Sequence, residues 1–322
     1  MKTRLIYLII LIFSFSQHNL VSAQRRSDLR PFHIQHNFKN PNSIFENATS
    51  LNIKRKKRIT GIAAGGYAAG LLYMGTQWYA NEELTKFHFF HDLHEWKQID
   101  KGGHMLGSYS SSRWMIDLYR WAGVEKRKAI LAGSLSGFLA MSSIEVFDGF
   151  GKTWGFSWTD VGANFLGSSL AAGNQLLWNE NRIQLKVSYR RSAYTREPDF
   201  YRLFGSNYAE WLLKDYNGHT IWLSFRLHSF LPEGRFKESY PPWLNLAVGY
   251  GAEGLEGGYD DPLQAYKLRE YRQFYLSFDI DLTQIETQNG FLNTLFNIVN
   301  VIRIPMPAVR FDQTGVRLRA LE

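Results

Sequence analysis

The chain has no cysteine among its 322 residues. Disulfide frameworks, cysteine-ligated zinc sites, thiol catalysis and lipid attachment through an N-terminal cysteine are therefore all excluded. Familiar catalytic motifs are also missing: there is no Walker loop, dinucleotide fingerprint, Gly-x-Ser-x-Gly elbow or His-Glu-x-x-His pair. Residues 249–254 have glycines at nucleotide-loop spacing, but turn residues follow them instead of a helix, so we predict a strand end and a turn.

The chain is rich in apolar residues and carries a net positive charge. Hydrophobic residues make up 45% and aromatic residues 16% of the sequence, which excludes a disordered protein and predicts a substantial core. Lysine and arginine (37) outnumber aspartate and glutamate (29), giving a net charge of +8. A balance of this kind favours an anionic partner such as nucleic acid, lipid headgroups or lipopolysaccharide.

The N-terminus indicates export. Lys2 and Arg4 precede a short apolar run, and small residues at 21–23 complete the pattern of a secretory signal over residues 1–23. The run is too short to span a bilayer comfortably, although an uncleaved anchor is the alternative. Export argues against nucleic acid as the partner, so we expect the positive charge to meet a membrane or another envelope component.

Composition divides the rest of the chain into three parts. Residues 24–58 lack a sustained period and end in the basic run 54–58, which predicts a loosely ordered linker. Residues 59–180 predict a helical domain with apolar helices at 59–79, 104–122, 129–144 and 158–178. Their small residues, such as Gly61, Gly65 and Gly66, are typical of helices packed closely in a bundle or in lipid.

From residue 182 the hydrophobic period changes from 3.6 to 2. Alternating segments begin near 183, 221, 244, 274 and 316, and one amphipathic helix covers 291–299. The fold class is therefore α+β: an N-terminal helical bundle, membrane-apposed or partly membrane-embedded, followed by a C-terminal antiparallel sheet over 181–322. The apolar face of such a sheet covers a core in a soluble protein and faces lipid in an outer-membrane barrel. Because five or six strands are too few to close a membrane barrel, we favour the soluble or membrane-apposed sheet.

Three clusters place ionisable groups within otherwise apolar helices, where charge is costly unless it is paired, metal-bound or exposed. The clusters are Asp100 to His104, Glu145 with Asp148, and Ser157 to Asp160 followed by Asn164. If they meet in space, His104, Glu145 and Asp148 are candidate acid/base groups. Asp100, His104, Glu145 and Asp160 are then candidate ligands of a divalent metal.

Each cluster also has a structural interpretation. Ser157 and Asp160 fit a capping box, and Asp100 could cap the helix that contains His104. Glu145 would be a buried hydrogen-bond hub or a catalytic acid. His88, His91 and His94 recur every three residues, which suits a metal, but an interfacial aromatic loop explains this stretch equally well.

The order of the clusters resembles a known family. The chain carries DKGGH at 100–104, SIEVFD at 143–148 and GFSWTDVGANFLG at 155–167. Over about residues 97–178 this pattern resembles the YfiM-like family of predicted periplasmic lipoproteins, a domain of unknown function, and is distantly similar to the VanZ-like membrane domain. The resemblance implies a helical domain on the envelope side of a diderm bacterium, in the periplasm or at the outer membrane. Its signature positions are Asp100, His104, Glu145, Asp148, Asp160 and Asn164, and the quoted segments add Lys101, Ser157 and Trp158. The resemblance implies no particular biochemical activity.

Three functions remain open at this point. The first is a non-enzymatic structural or binding protein of the envelope, with the clusters forming a buried polar network. The second is a hydrolase or transferase for a lipid or cell-wall substrate, dependent on a divalent metal or on acid/base groups. The third is a pore or transporter whose sheet closes by oligomerisation.

Overall fold

A computed structural model describes residues 47–77, 83–256, 268–285 and 287–322, and within them the predicted α+β class is confirmed. The expected signal and most of the expected linker lie outside these residues. Four long helices come first and a six-stranded antiparallel sheet follows. The long helices are α1 (Ile53–Gln77), α2 (Ile99–Trp121), α3 (Lys126–Asp148) and α4 (Trp158–Leu177).

The central helix α2 packs closely against α3 and α4 through glycines. A Cβ atom on Gly133 of α3 would overlap the backbone of Ile116, and one on Gly167 of α4 would overlap the backbone of Met105. Small residues thus let these backbones approach, as predicted. The same expectation is wrong for the glycines of α1, because no described atom lies within 4 Å of a Cβ built on Gly61, Gly65 or Gly66.

Helix α1 also begins earlier than predicted. The basic run 54–58, which the sequence analysis assigns to the linker, lies in its first turns. The guanidinium of Arg55 sits 4.7 Å from the ring centroid of Trp121 and donates a 3.0 Å hydrogen bond to the Trp121 carbonyl oxygen. These contacts at the end of α2 give the basic run a packing partner that its local sequence does not indicate.

The sheet is a meander in which each strand pairs with the next. Its strands are β1 (Ile183–Tyr189), β2 (His219–Phe225), β3 (Leu244–Glu253), β4 (Tyr271–Ile280), β5 (Ala308–Asp312) and β6 (Gly315–Arg319). Strand β5 was not predicted, because it has only five residues and follows two prolines closely. The shorter helices are α5 (Tyr201–Phe204), α6 (Tyr208–Lys214), α7 (Arg235–Ser239) and the predicted amphipathic helix α8 (Gly290–Val299).

The apolar face of the sheet covers a core at β1 and β2, and also at the end of β3, where Tyr250 and Ala252 pack near Ile99. At β1 and β2, Leu185 and Ile221 join Tyr109 and Ile116 of α2 in one buried cluster. Gly102 at the start of α2 brings this helix so close to β2 that an added Cβ would lie 2.9 Å from the Ile221 side chain. This contact joins the helical part to the sheet.

The other face of the sheet is buried and largely polar, and its polar side chains surround a small apolar cluster of Trp222, Ala247, Tyr275 and Ala308. Lys186 of β1 and Asp279 of β4 form an ion pair of 2.7 Å, and both side chains are inaccessible to solvent. Neighbouring strands lie about 4.8 Å apart, so a flat sheet would separate β1 and β4 by about 14 Å. The sheet must therefore curl around its polar face. Residues 301–303 hydrogen-bond to the outer edge of β1 at Val187 and help to enclose it.

By length and composition, one helix in the described part of the chain could cross a membrane: Lys126–Asp148, which is α3.

Candidate functional site

The three predicted clusters meet in one buried polar cluster, formed by the start of α2, the end of α3, the start of α4 and the loop before α2. Its charged members are Asp92, Asp100, Lys101, His104, Glu145 and Asp160. The loop reaches α2 through a tight turn in which Trp96, Lys97 and Gln98 all have positive φ angles. The helix N-cap is Gln98, so the expectation that Asp100 caps α2 is wrong.

Lys101 lies at the centre of this cluster. Its Nζ is 2.7 Å from Asp92 Oδ2, 3.0 Å from Asp100 Oδ2 and 2.8 Å from Asp160 Oδ1. The side chain is only 11% exposed. A buried ammonium with three carboxylate partners is compensated both in charge and in hydrogen-bonding capacity, which offsets the cost of its desolvation.

Hydroxyl groups fix the carboxylate of Asp92. Ser157 Oγ and Thr159 Oγ1 each donate a 2.6 Å hydrogen bond to Asp92 Oδ1. Ser157 also accepts a hydrogen bond from the Asp160 backbone N–H at 3.1 Å, so the predicted N-cap of α4 is confirmed. Ser157 therefore both begins α4 and orients an acidic group of the cluster.

A histidine and a carboxyl group form the second half of the cluster. His104 Nδ1 lies 3.5 Å from Glu145 Oε1, and His104 Nε2 lies 4.0 Å from Asp100 Oδ1. Glu145 is 1% exposed, and its Oε2 accepts a 3.2 Å hydrogen bond from the Ser157 backbone N–H. This arrangement fits the predicted hydrogen-bond hub and also leaves His104 and Glu145 close enough to exchange a proton through one water molecule.

Burial and mutual repulsion keep protons on the cluster. Burial raises the pKa of Glu145 to about 9, with the charges of Asp160 and Asp148 adding to the effect. Burial alone would lower the pKa of His104, but Asp100, Asp160 and Glu145 raise it to about 9. A protonated Glu145 therefore faces a positively charged His104 at neutral pH.

Asp92 of the loop and Asp160 of α4, which both contact Lys101, have pKa values shifted in opposite directions. Burial opposes ionisation of Asp92, but hydrogen bonds from Asp160, Lys101 and the two hydroxyls hold its pKa well below the usual range. Burial and the Asp100 charge raise the pKa of Asp160 to about 7, although His104 and Lys101 oppose this. The pair shares a hydrogen bond, with the proton held on the Asp160 side.

Several buried polar atoms of the cluster lack a hydrogen bond within the described structure. They are His104 Nδ1, Glu145 Oε1, Asp160 Oδ1 and both side-chain amide atoms of Asn164. Lys101 and the His104–Glu145 contact supply ionic neighbours for the first three. The Asn164 side chain has no such neighbour and is fully buried, and buried amides almost always have partners, so a water molecule or a ligand group is expected there.

Three residues could hold a cation in this place. Asp100, His104 and Asp160 each offer one ligand atom, and these atoms lie within 4.8 Å of one another. Oxygen and imidazole donors suit a divalent transition metal. The ammonium of Lys101 already contacts two of these residues, so a bound metal would have to displace it or share the carboxylates with it.

The remaining candidates fall around the cluster. Asp148 ends α3 one turn beyond Glu145 and acts on the cluster through its charge. Trp158 is 67% exposed, and its indole packs against the rings of Phe89 and Phe156. His91 and His94 are exposed and His88 is half-buried, in a segment that is not helical, so their spacing does not place them on one helix face.

Sequence reasoning missed two members of the cluster. Asp92 lies beside the three histidines, in a segment without a regular period. Tyr216, three residues before β2, donates a 3.0 Å hydrogen bond to Asp100 Oδ1. No local signal marks either residue, because both reach the cluster through tertiary contacts.

Fold and cluster together define a helical domain joined to a curled sheet, with a buried ion cluster near the junction. Residues 89–175 match the model of a family described as "Predicted periplasmic lipoprotein (DUF2279)". The matched segment includes every charged residue of the cluster and fits an exported envelope protein, while the YfiM-like name and the VanZ resemblance are not confirmed. No curated protein and no solved structure matches the chain.

Proposed function

We propose that this protein is a non-enzymatic structural or binding protein of the cell envelope, in the periplasm or at the outer membrane, and that its polar cluster is a structural joint. The observation that carries this proposal is the position of Lys101. Its ammonium lies within 3.0 Å of carboxylates from the loop, from α2 and from α4. The centre of the acidic cluster is thus taken by a cation of the chain itself.

The same cluster connects the helices to the sheet part of the chain. Tyr216 reaches Asp100 from the residues just before β2, and Glu145 of α3 accepts a hydrogen bond from the first residue before α4. Each of these contacts ties together elements that are distant in sequence. Loss of one partner leaves another buried polar group unsatisfied, which costs more than the contact itself contributes.

Thermal unfolding of the purified protein tests the structural role. His104→Ala and Glu145→Ala should both lower the melting temperature by several degrees, because each removes one partner of the buried polar contact between α2 and α3. His94→Ala is the matched control, since this histidine is exposed and lies outside the cluster. Unchanged melting temperatures in both cluster variants would contradict the proposal.

The alternative is a hydrolase or transferase acting on a lipid or cell-wall substrate. The proximity of ligand atoms from Asp100, His104 and Asp160 and the unpartnered amide of Asn164 favour it. In this function Glu145 and His104 would transfer protons, and Asp148 and Asp160 would orient them or help to hold a divalent cation.

Metal content distinguishes the two functions. Mass spectrometry measures the metal content of the purified protein and of an Asp100→Ala/His104→Ala double variant whose circular dichroism is unchanged. A stoichiometric metal that the double variant loses would support the enzyme. Absence of metal from both samples supports the structural joint.

A further inference from the structure

The sheet exposes much of its apolar face and buries its polar face, which is the reverse of the arrangement expected for a sheet in water. Along β4, the apolar side chains of Phe274, Leu276 and Phe278 are exposed, while the alternating Tyr275, Ser277 and Asp279 are buried. The exposed face continues onto the neighbouring strands, because Leu276 pairs with Val248 of β3 and with Val309 of β5. At the far edge, Leu318 of β6 is 85% exposed.

Ion pairs within the chain compensate charges on the buried polar face. Arg226 contacts Asp281 at 2.8 Å and Arg310 contacts Asp312 at 2.8 Å, in addition to the Lys186–Asp279 pair. A chain that folds in water gains free energy by burying the apolar face of a sheet and exposing the polar face. Here the opposite arrangement is stabilised by ion pairs inside, which suits an apolar medium outside.

Helix α8 shows the same inversion. Phe291, Leu295 and Ile298 are exposed, whereas Asn300 at its C-terminal end is buried and hydrogen-bonded to Gln184 and Lys186. Gly290 is the one residue of this helix that is fully buried. A helix of this composition on a protein in water would turn its phenylalanine and leucines inward.

Helix α4 repeats the pattern in the helical part of the molecule. Its buried residues are polar or small: Asp160, Ala163, Asn164, Gly167, Ser168, Ala171, Asn174 and Gln175. Its large apolar residues, including Phe165, Leu166 and Leu177, are exposed. Helices packed in lipid have this arrangement, with small and polar residues inside and large apolar residues outside.

We propose that the outer surface of β3–β6, α8 and α4, called here the apolar shell, contacts the hydrocarbon of a lipid bilayer. The proposal deepens the proposed function by naming its partner, and it rests on that function only for the envelope location. A protein partner would cover one bounded patch, whereas the shell includes four strands and two helices from both halves of the chain. Soluble monomers rarely expose apolar patches beyond a few hundred Å². The net charge of +8 also complements anionic headgroups.

The absence of cysteine makes a direct test possible. Single substitutions Leu276→Cys, Ile298→Cys and Leu166→Cys place a nitroxide label on each element of the shell. Glu233→Cys is the control, because Glu233 is exposed and lies outside the shell. Each labelled protein is reconstituted into vesicles of phosphatidylcholine and phosphatidylglycerol, after its melting temperature in detergent has been shown to match that of the unlabelled chain.

The proposal predicts that the three shell labels collide more often with oxygen than with a water-soluble nickel chelate, and that the control label shows the reverse. Equal nickel access at all four positions would overturn it. Protection from both reagents, accompanied by spin–spin broadening between copies, would also overturn it in favour of a self-associated protein. Because melting temperatures of the His104 and Glu145 variants are measured separately, failure of the lipid contact leaves the structural joint independently testable.

Discussion

The two buried ionic networks of this protein differ in how their positive and negative charges are balanced. In the sheet, each of three cations has its own carboxylate: Lys186 with Asp279, Arg226 with Asp281 and Arg310 with Asp312. In the polar cluster of the helices, four carboxyl groups surround one ammonium and one histidine. The sheet network is therefore compensated mainly by pairing, with the buried guanidinium of Arg303 stacked on Trp222 as a further cation. The helical cluster approaches neutrality by retaining protons.

This difference separates a structural network from one that can respond to its surroundings. A paired network titrates only under extreme conditions, since burial without the partner is costly for either charge. A cluster with excess carboxyl groups can exchange protons, or a cation, near neutral pH.

The sheet network should be the less tolerant of losing a cation. Lys186→Met leaves Asp279 buried without compensation and should reduce the free energy of unfolding by about 3–5 kcal/mol. Denaturant unfolding measures this loss. The pair of Lys237 with the exposed Glu233 is the control, and Lys237→Met should leave the free energy of unfolding nearly unchanged. Most of the loss should be recovered in a Lys186→Met/Asp279→Leu double variant, and a failure of this recovery would contradict the paired description.

The helical cluster should tolerate the equivalent change better. Lys101→Met should cost about 1–3 kcal/mol, because Asp160, whose pKa is already raised to about 7, can take up a proton when the ammonium is gone. The cost should grow as the pH rises above 7. A cost equal to that of Lys186→Met and independent of pH would remove the distinction between the networks.

Close helix packing supports the helical cluster, and two glycines of α4 test this. Gly167→Ala would push α4 away from the Met105 backbone and should cost about 1–3 kcal/mol in unfolding free energy. Gly162→Ala is the matched control on the same helix, since no described atom lies within 4 Å of its added Cβ. Its expected effect is a gain of about 0.5–1 kcal/mol from helix propensity. Similar effects for both would show that the cluster does not need this close approach.

The two networks should also lose stability at opposite ends of the pH range. The pKa of His104 is raised to about 9, so its contribution is full below 6.5 and is lost as the pH rises through 9. The pKa of Asp281 is lowered to about 2, chiefly by Arg226 against the effect of burial, so its contribution is present above 3.8 and is lost as the pH falls toward 2. The stability difference between wild type and His104→Ala should vanish at high pH, and that for Asp281→Asn at low pH. Parallel pH profiles for the two variants would argue against separate networks.

Local patterns in the sequence determined the elements of this protein. A hydrophobic period of 3.6 located α2, α3 and α4, alternation located β1 to β4 and β6, and the Ser157–Asp160 spacing identified the cap of α4. The candidate residues Asp100, His104, Glu145 and Asp160 were also visible as charges in apolar helices, because burying them without partners is too costly to occur by accident. These properties depend on residues close in sequence.

Tertiary structure alone decided which side of each element faces inward. An alternating strand has one apolar and one polar face, and the pattern is identical whether the apolar face meets a core or lipid. Only the curl of the sheet, closed by contacts as distant as Lys186 and Asp279, buried the polar face. Asp92 and Tyr216 entered the polar cluster in the same way, from a loop and from the sheet part of the chain. Their contribution depends on distances between segments far apart in sequence, which no local pattern encodes.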